Sequence, residues 1–321
     1  MAIISNLPIS LPVAKMIATM TSLIGIVRYN ETLAPSDIVN DLVDSCMIDG
    51  VDYGKGIVYA YKNALLTVDD LSETSSAFTI AKPDIREEVI TIDQYKFIQI
   101  SLSDVLSRDI GVTGYQIEEF MAFAMSLLED TKRFDMFDVA NGLYQNWTPG
   151  QATQTIQVEQ IDTSSLSGAD LQAAMQINAT NIAKTMRKTL NNMKVKSTKF
   201  TDISGQTSAL RSDDLKLVVN DNYWTNFLAD AMASLYHSER VGEMIPGSNF
   251  VLLPTDSMKS GNEKVIGWLS DRKKFAIAQF YNVVLSILDP STTYTNTFFH
   301  YSYGAGVFTH APGVKFVAAT A

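Results

Sequence analysis

The sequence predicts an α+β fold in which one long helix separates a pair of extended segments from a strand-rich carboxyl-terminal half. Apolar residues of segment 113–146 recur at the i, i+3, i+4, i+7 spacing of one helical face. Two earlier segments, 56–71 and 87–103, are rich in β-branched and aromatic residues that partly alternate with polar ones. Strand-like runs then recur through residues 265–318. Together these three observations exclude an all-helical protein.

The central helix is marked at both ends as well as along its length. Thr113 and Gln116 have the order of a capping box, and Pro149 and Gly150 supply a stop signal. At roughly 1.5 Å per residue the helix is about 45 Å long, well above the mean for globular proteins. A long core helix in an enzyme is an alternative interpretation that this segment leaves open. The predicted apolar face comprises Ile117, Phe120, Met121, Ala124, Leu127, Leu128, Thr131, Phe134, Phe137, Ala140, Leu143 and Tyr144.

The segments before this helix predict a shorter helix and a long hairpin. Pro35-Ser36-Asp37 is a start signal for a helix that Gly50 ends. The extended segments 56–71 and 87–103 are connected by polar residues and the turn-forming Lys82-Pro83-Asp84, which predicts a hairpin. Because a two-stranded ribbon is only marginally stable alone in water, we expect this hairpin to lie on a neighbouring molecule.

The segments after the long helix predict a second helix, a compact α/β unit and terminal strands. Residues 151–167 are rich in Gln, Thr and Ser and predict a loop or a sheet edge. The remaining elements follow in order: a helix at 169–193, a buried strand at 215–219, a helix at 223–237, and strands at 251–254, 265–269, 275–287, 295–304 and 314–318.

Composition limits the class of protein. The 321 residues are 46% hydrophobic, which is enough to bury one large core or two modest ones. Twenty-five basic and 35 acidic residues give a net charge of −10, which argues against a nucleic-acid-binding protein that works by neutralising phosphates and leaves room for a weak contact with DNA. The single cysteine, Cys46, excludes an intramolecular disulfide and a multi-cysteine metal site. We expect Cys46 to be a small buried thiol in a protein of a reducing compartment.

The amino-terminal segment resembles a signal peptide or membrane anchor only superficially. Pro8, Pro12 and Lys15 interrupt its apolar run, and no positive charge precedes that run. The longest uncharged piece after Lys15, residues 16–27, is too short to span a bilayer. We interpret the segment as an apolar arm that packs on a neighbouring subunit.

The sequence contains no recognisable catalytic, cofactor-binding or metal-binding motif. The three histidines, His237, His300 and His310, lack zinc-type spacing, and no nucleophile elbow, dinucleotide fingerprint or Walker sequence is present. Adjacent acids such as Glu87 and Glu88 point to opposite faces of a strand, so such pairs predict solvated surface charge. We therefore predict no catalytic residue, no cofactor and no metal.

The order of arm, hairpin, long helix, α/β unit and terminal strands resembles the Hong Kong 97 fold of the major capsid proteins of tailed bacteriophages. The run AFTIAKPDIREEVITIDQYKFIQISLS is similar to the descending strand of the extended loop in those proteins. The tail WLSDRKKFAIAQFYNVVLSILDPSTTYTNTFFHYSY is similar to the carboxyl-terminal strands of capsid proteins of small podovirus-type phages. The resemblance covers nearly the whole chain.

This resemblance implies a division of the chain. Residues 1–50 would form the amino-terminal arm, 51–104 the extended loop, 105–150 the peripheral domain with its spine helix, 151–290 the axial domain, and 291–321 strands returning to both sheets. Some members of the family join subunits through a Lys-Asn bond. Lys62 would be the donor here, but no partner Asn or assisting Glu can be matched. We therefore do not predict this bond for the present chain.

The resemblance also implies a function without catalysis. The chain would self-assemble, as hexamers and pentamers, into an icosahedral shell around double-stranded DNA, which it would contact weakly and non-specifically. Its partners would be the portal and scaffolding or decoration proteins, with no membrane, and it would assemble in the host cytoplasm and reside in the virion. Two alternatives stay open: an encapsulin-type compartment shell, and an enzyme with a cleft near Asp221, Tyr223 and His237.

Overall fold

The computed structural model describes residues 35–48, 56–62, 84–103, 114–224, 250–291 and 294–320. They form three helices and eleven strands, joined in places by single 3-10 turns. The helices are α1 (Asp37–Cys46), α2 (Gly114–Asn146) and α3 (Gly168–Lys194). The strands are β1 (Met47–Ile48), β2 (Gly56–Lys62), β3 (Ile85–Thr91), β4 (Gln94–Ser103), β5 (Thr155–Gln160), β6 (Leu215–Asn220), β7 (Phe250–Leu253), β8 (Val265–Asp271), β9 (Phe275–Asp289), β10 (Tyr294–Val307) and β11 (Gly313–Thr320).

The long helix α2 has the predicted bounds, but over residues 126–146, where side-chain burial is described, its buried stripe is narrower than predicted. Leu128, Met136 and Tyr144 are fully buried at spacings of eight residues. Leu127 and Phe134, which the sequence assigned to the apolar face, are exposed. Successive residues are turned by about 100° around a helix. Leu127 and Phe134 therefore lie to the side of the line formed by Leu128, Met136 and Tyr144. Their burial was wrongly predicted for the isolated subunit.

The four-stranded sheet has the order β1-β9-β10-β4 and carries α2 on one face. Its longest pairing joins β9 and β10 antiparallel over nearly their whole lengths. A charged contact attaches α2 to this sheet, since Lys96 Nζ lies 2.6 Å from Asp135 Oδ1. Tyr301 Oη donates to the other oxygen of Asp135 at 2.9 Å, so the carboxylate on α2 bridges β4 and β10.

The predicted hairpin is only partly correct. Segment 87–103 is two strands, with a break at residues 92–93. Its first part, β3, pairs antiparallel with β2 to form a two-stranded ribbon. Its second part, β4, instead pairs with β10 over ten residues and becomes an edge of the four-stranded sheet. The sequence could not show this, because the β10 partner lies about two hundred residues away.

The five-stranded sheet has the order β5-β11-β8-β6-β7 and lies between two layers of helices. The six residues of β6 are all buried. Leu215, Leu217 and Val219 pack with α3, whereas Val218 packs with α1 and α2. A strand covered on both faces reads as a continuous apolar run, which is why this buried strand was predictable.

Two lysines are fully buried in this framework. Lys274 Nζ donates to Asp202 Oδ2 at 3.0 Å and to the carbonyl of Ala311 at 2.7 Å. Lys216 Nζ donates to Ser45 and lies 3.6 Å from Sγ of Cys46. Burial lowers the pKa of both lysines. The expectation that Cys46 is a buried thiol is confirmed.

Several predicted segments lie outside the described residues. These are the amino-terminal arm through residue 34, the connection at 63–83 and most of the helix predicted at 223–237. Only the start of that last helix is described, where Asp221–Tyr223 form a single 3-10 turn. The segment predicted as a loop or sheet edge contains the edge strand β5. In the described part of the chain, no helix combines the length and apolarity needed to cross a membrane.

Candidate assembly surfaces

The described residues do not gather into a metal-binding or catalytic cluster. Within those ranges, no three His, Cys, Asp or Glu side chains lie together in an arrangement that could hold a metal ion. His300 lies on the four-stranded sheet beside Phe97 and Phe298. Asp221 and Tyr223 follow β6, and burial raises the pKa of Tyr223. His237, the third residue of the proposed enzyme cleft, lies outside the described residues.

A cleft of about 460 Å³ lies between α1, α2 and the four-stranded sheet. Its lining carries both signs of charge, since Glu129, Asp130, Lys132 and Arg133 of α2 all contribute to it. Burial lowers the pKa of Lys132, which donates to Asn282 at 3.1 Å. This lining lacks a nucleophile paired with a base, so the cleft offers no constellation for acyl or phosphoryl transfer.

The ribbon formed by β2 and β3 has two different faces. On its inner face, Ile90 is buried against Ala276, Phe308 and Ala311 of the body. On its outer face Val58 pairs with Val89, and Ile85 lies near the open end. All three outer side chains are more than half exposed. The ribbon therefore presents an apolar strip that the described residues of its own subunit leave uncovered.

A carboxylate latch holds the base of the ribbon on the body. Glu88 of β3 accepts hydrogen bonds from the backbone amide and the hydroxyl of Thr309. His310 Nδ1 lies 2.6 Å from Glu88 Oε2, and the Tyr61 ring stacks on His310 with centroids 4.2 Å apart. Burial acts to raise the pKa of Glu88, but the hydrogen bonds from Thr309 and His310 outweigh it and lower this pKa below its usual value. The ionised carboxylate is thus the form that fixes the ribbon.

A second apolar surface covers the face of the four-stranded sheet that points away from α2. Strand register aligns Phe97 with His300 across β4 and β10, and Phe298 with Leu285 across β10 and β9. The rings of Phe97 and Phe298 meet edge to face with centroids 5.8 Å apart. This outer sheet face is defined by Tyr95, Phe97, Leu285, Ile287, Phe298 and His300. Tyr95 is 74% exposed.

The two surfaces suit contact with other protein molecules. A soluble monomer rarely exposes a large contiguous apolar patch, and patches rimmed by polar groups mark interaction sites. Here Gln99, Ser101 and Asn296 form a hydrogen-bonded polar group next to the aromatic residues. The arrangement favours association through packing over chemistry on a small substrate.

Sequence reasoning missed the residues that position the ribbon. The pair Glu87 and Glu88 was predicted to be solvated surface charge, and this is wrong for Glu88, which latches the ribbon. The two side chains do point to opposite faces, as the alternation of a strand requires. No local signal marks Glu88, because its partners Thr309 and His310 lie more than two hundred residues away.

A sequence model of the family described as Phi29-like phage major capsid protein matches residues 57–317. The match thus includes every residue that defines the two apolar surfaces. A comparison with curated proteins gives no match by sequence.

Solved capsid structures share this architecture at low sequence identity. The capsid of the cyanophage P-SCSP1u is 12% identical with a TM-score of 0.55, covering 93% of each chain. The capsid of Staphylococcus phage Andhra is 8% identical with a TM-score of 0.60, covering 92% of this chain and 86% of that one. The mature capsid of bacteriophage PhiM1 is 12% identical with a TM-score of 0.52, covering 92% and 90%. At such identities the likeness concerns the fold.

Proposed function

The chain belongs to the family of Phi29-like phage major capsid proteins, and on that premise we propose that the ribbon and the outer sheet face are the contacts through which its copies assemble. A major capsid protein is the repeated structural subunit of a phage head. The chain is accordingly a non-enzymatic component of the virion with an α+β fold of the Hong Kong 97 type. The family match favours this function over a cargo-loaded compartment and over the enzyme.

The finer features of the assembly are part of the proposal. The shell consists of hexamers and pentamers around double-stranded DNA, contains a portal, is built with scaffolding or decoration proteins and assembles in the host cytoplasm. Residues 1–50 act as the arm, 51–104 as the extended loop, 105–150 as the peripheral domain with the spine helix, 151–290 as the axial domain and 291–321 as returning strands. A repeated interface of modest size suffices because every copy contributes it.

The exposed outer face of the ribbon is the observation that carries this proposal. Glu88 holds the inner face of the ribbon on the body, so the outer side chains of Val58 and Val89 point away from the described part of the subunit. Contact with another copy covers these side chains and stabilises a ribbon that is marginal alone. Both effects make the assembled state more favourable than the isolated subunit.

The test is a paired substitution in the ribbon. Val58→Asp with Val89→Asp places two charges at a cross-strand pair on the outer face, and we expect shells to be lost while the subunit stays folded. Ile177→Asp, at another exposed apolar residue on α3, is the matched control and should assemble. Negative-stain micrographs and size-exclusion chromatography measure both. Normal shells from the ribbon variant would exclude the ribbon as a subunit contact.

A further inference from the structure

After Asp170 in its first turn, α3 and the loop that follows it contain only basic charges as far as residue 201. Between residues 171 and 201 the chain contains six lysines and arginines and no aspartate or glutamate. This segment lies in a protein whose acidic residues outnumber its basic ones by 35 to 25. The six residues are Lys184, Arg187, Lys188, Lys194, Lys196 and Lys199. This segment is therefore positively charged, although the chain as a whole is negatively charged.

The geometry of α3 places Lys184, Arg187 and Lys188 on one exposed side of the helix, and Lys196 and Lys199 are exposed in the loop that follows. Ala183, Met186 and Leu190 bury the opposite side of the helix against the five-stranded sheet. Lys184 and Lys188 are one turn apart and exposed. The basic face is defined here as Lys184, Arg187, Lys188, Lys196 and Lys199, all of which are exposed. Among the ion pairs of the described residues, none uses a lysine of this face.

The chemistry of this face suits the backbone of duplex nucleic acid. Lys184 and Lys188 are about 6 Å apart along the helix axis at 1.5 Å per residue, a distance of about two base-pair steps. The exposed Asn191 and Asn192 lie between the cations, and amide donors commonly bind phosphate oxygens. The helix has no aromatic residue, so it lacks the stacking platform that single-stranded bases require. Within residues 184–199 Val195 is the single exposed large apolar side chain, which is too little for the apolar core that a protein interface needs.

We propose that the basic face of α3 lines the interior of the shell and contacts the phosphate backbone of the packaged duplex DNA. This inference rests on the proposed function and names the surface through which the DNA is contacted. The rest of the acidic chain does not prevent the contact, because salt screens charges farther away than about 8 Å at physiological ionic strength. A few lysines per copy give weak, salt-dependent and sequence-independent binding. Many copies in one shell then hold the genome without impeding its release.

The experiment measures binding of a short fluorescent DNA duplex to the full-length protein by anisotropy, from low to near-physiological salt. The test variant is Lys184→Gln with Lys188→Gln. The control, Lys264→Gln with Lys273→Gln, changes the net charge equally at two exposed lysines near the ends of β8. The test variant should bind at least about fivefold more weakly at low salt, and its salt slope should fall by about two. The control should keep the wild-type slope.

Five results would overturn the inference. Two concern the wild type and the control: the wild type does not bind DNA at low salt, or the control loses as much affinity as the test variant. Two concern the test variant: its salt slope is unchanged, or Lys184→Arg with Lys188→Arg loses as much affinity as it does. The fifth is stronger binding of polyglutamate than of DNA. The last would identify an acidic protein as the occupant. Shells are scored separately in micrographs. Failure of the wild type to form them contradicts the proposed function, whereas normal shells with an unchanged DNA slope in the test variant contradict only this inference.

Discussion

Removal of Asp202 should destabilise the subunit more than removal of its buried partner Lys274. Lys274 is fully buried, and its ammonium group has three acceptors: Asp202 Oδ2 and the carbonyls of Phe308 and Ala311. Burial lowers its pKa, and Asp202 opposes that shift. Asp202→Ala leaves a buried cation with two neutral acceptors, and breaking a buried pair in this way costs about 3–5 kcal/mol of unfolding free energy.

Lys274→Met should lower the free energy of unfolding less than Asp202→Ala does, because the Asp202 carboxylate keeps other hydrogen-bond donors. Gln154 Nε2 donates to Asp202 Oδ1 at 2.7 Å, and Trp147 Nε1 donates to Oδ2 at 3.3 Å. Asp202 is also slightly exposed. We expect a loss of about 1–3 kcal/mol. The double variant has no buried cation. Its loss of unfolding free energy should therefore be about 2 kcal/mol smaller than the sum of the losses of the two single variants.

Urea denaturation of the soluble subunit, followed by tryptophan fluorescence, measures these differences. Lys273→Met, next in the chain but exposed, is the control and should change the unfolding free energy little. The m-value should stay constant if the variants share one folded state. A smaller loss for Asp202→Ala than for Lys274→Met, or additive losses in the double variant, would refute the assignment of a buried, mutually dependent pair.

Three further predictions concern other sites. Lys216→Met removes a buried cation that has no carboxylate partner among the described residues, and it should leave the urea midpoint unchanged or raise it; a lower midpoint contradicts this. Glu88 has a lowered pKa, so its hydrogen bonds to Thr309 and His310 are fully formed above its usual pKa of 4.5 and are lost as pH falls through the lower folded pKa. The protection of β3 amides against hydrogen exchange should fall over that range in the wild type. Glu88→Gln should show low protection at every pH. Gly304→Ala overlaps the backbone carbonyl of Thr91 and should destabilise the subunit, measured as the melting temperature, more than Gly306→Ala, which meets only a side chain.

The long helix shows what local pattern can predict and where it fails. Its bounds followed from the apolar period and the flanking Thr113, Pro149 and Gly150, and the structure confirms a helix over Gly114–Asn146. The burial of Leu127 and Phe134 did not follow, because the width of a buried stripe depends on how many layers contact the helix. The candidate site was less predictable still. The apolar ribbon was anticipated as an intermolecular element, but the sequence gave no indication of the Glu88 latch.

The sequence by itself determined the properties that depend on neighbouring residues: helix and strand periods, turn signals, the excess of acidic charge and the cluster of basic residues at 184–199. Only the tertiary structure decided which strand pairs with which. It transferred β4 from the predicted hairpin to the four-stranded sheet and placed Asp202 beside Lys274. It also left the outer sheet face uncovered by the described residues. The physical reason is that backbone hydrogen bonds and buried charges are satisfied by groups that the fold brings together from distant positions, and such proximity leaves no trace in local sequence.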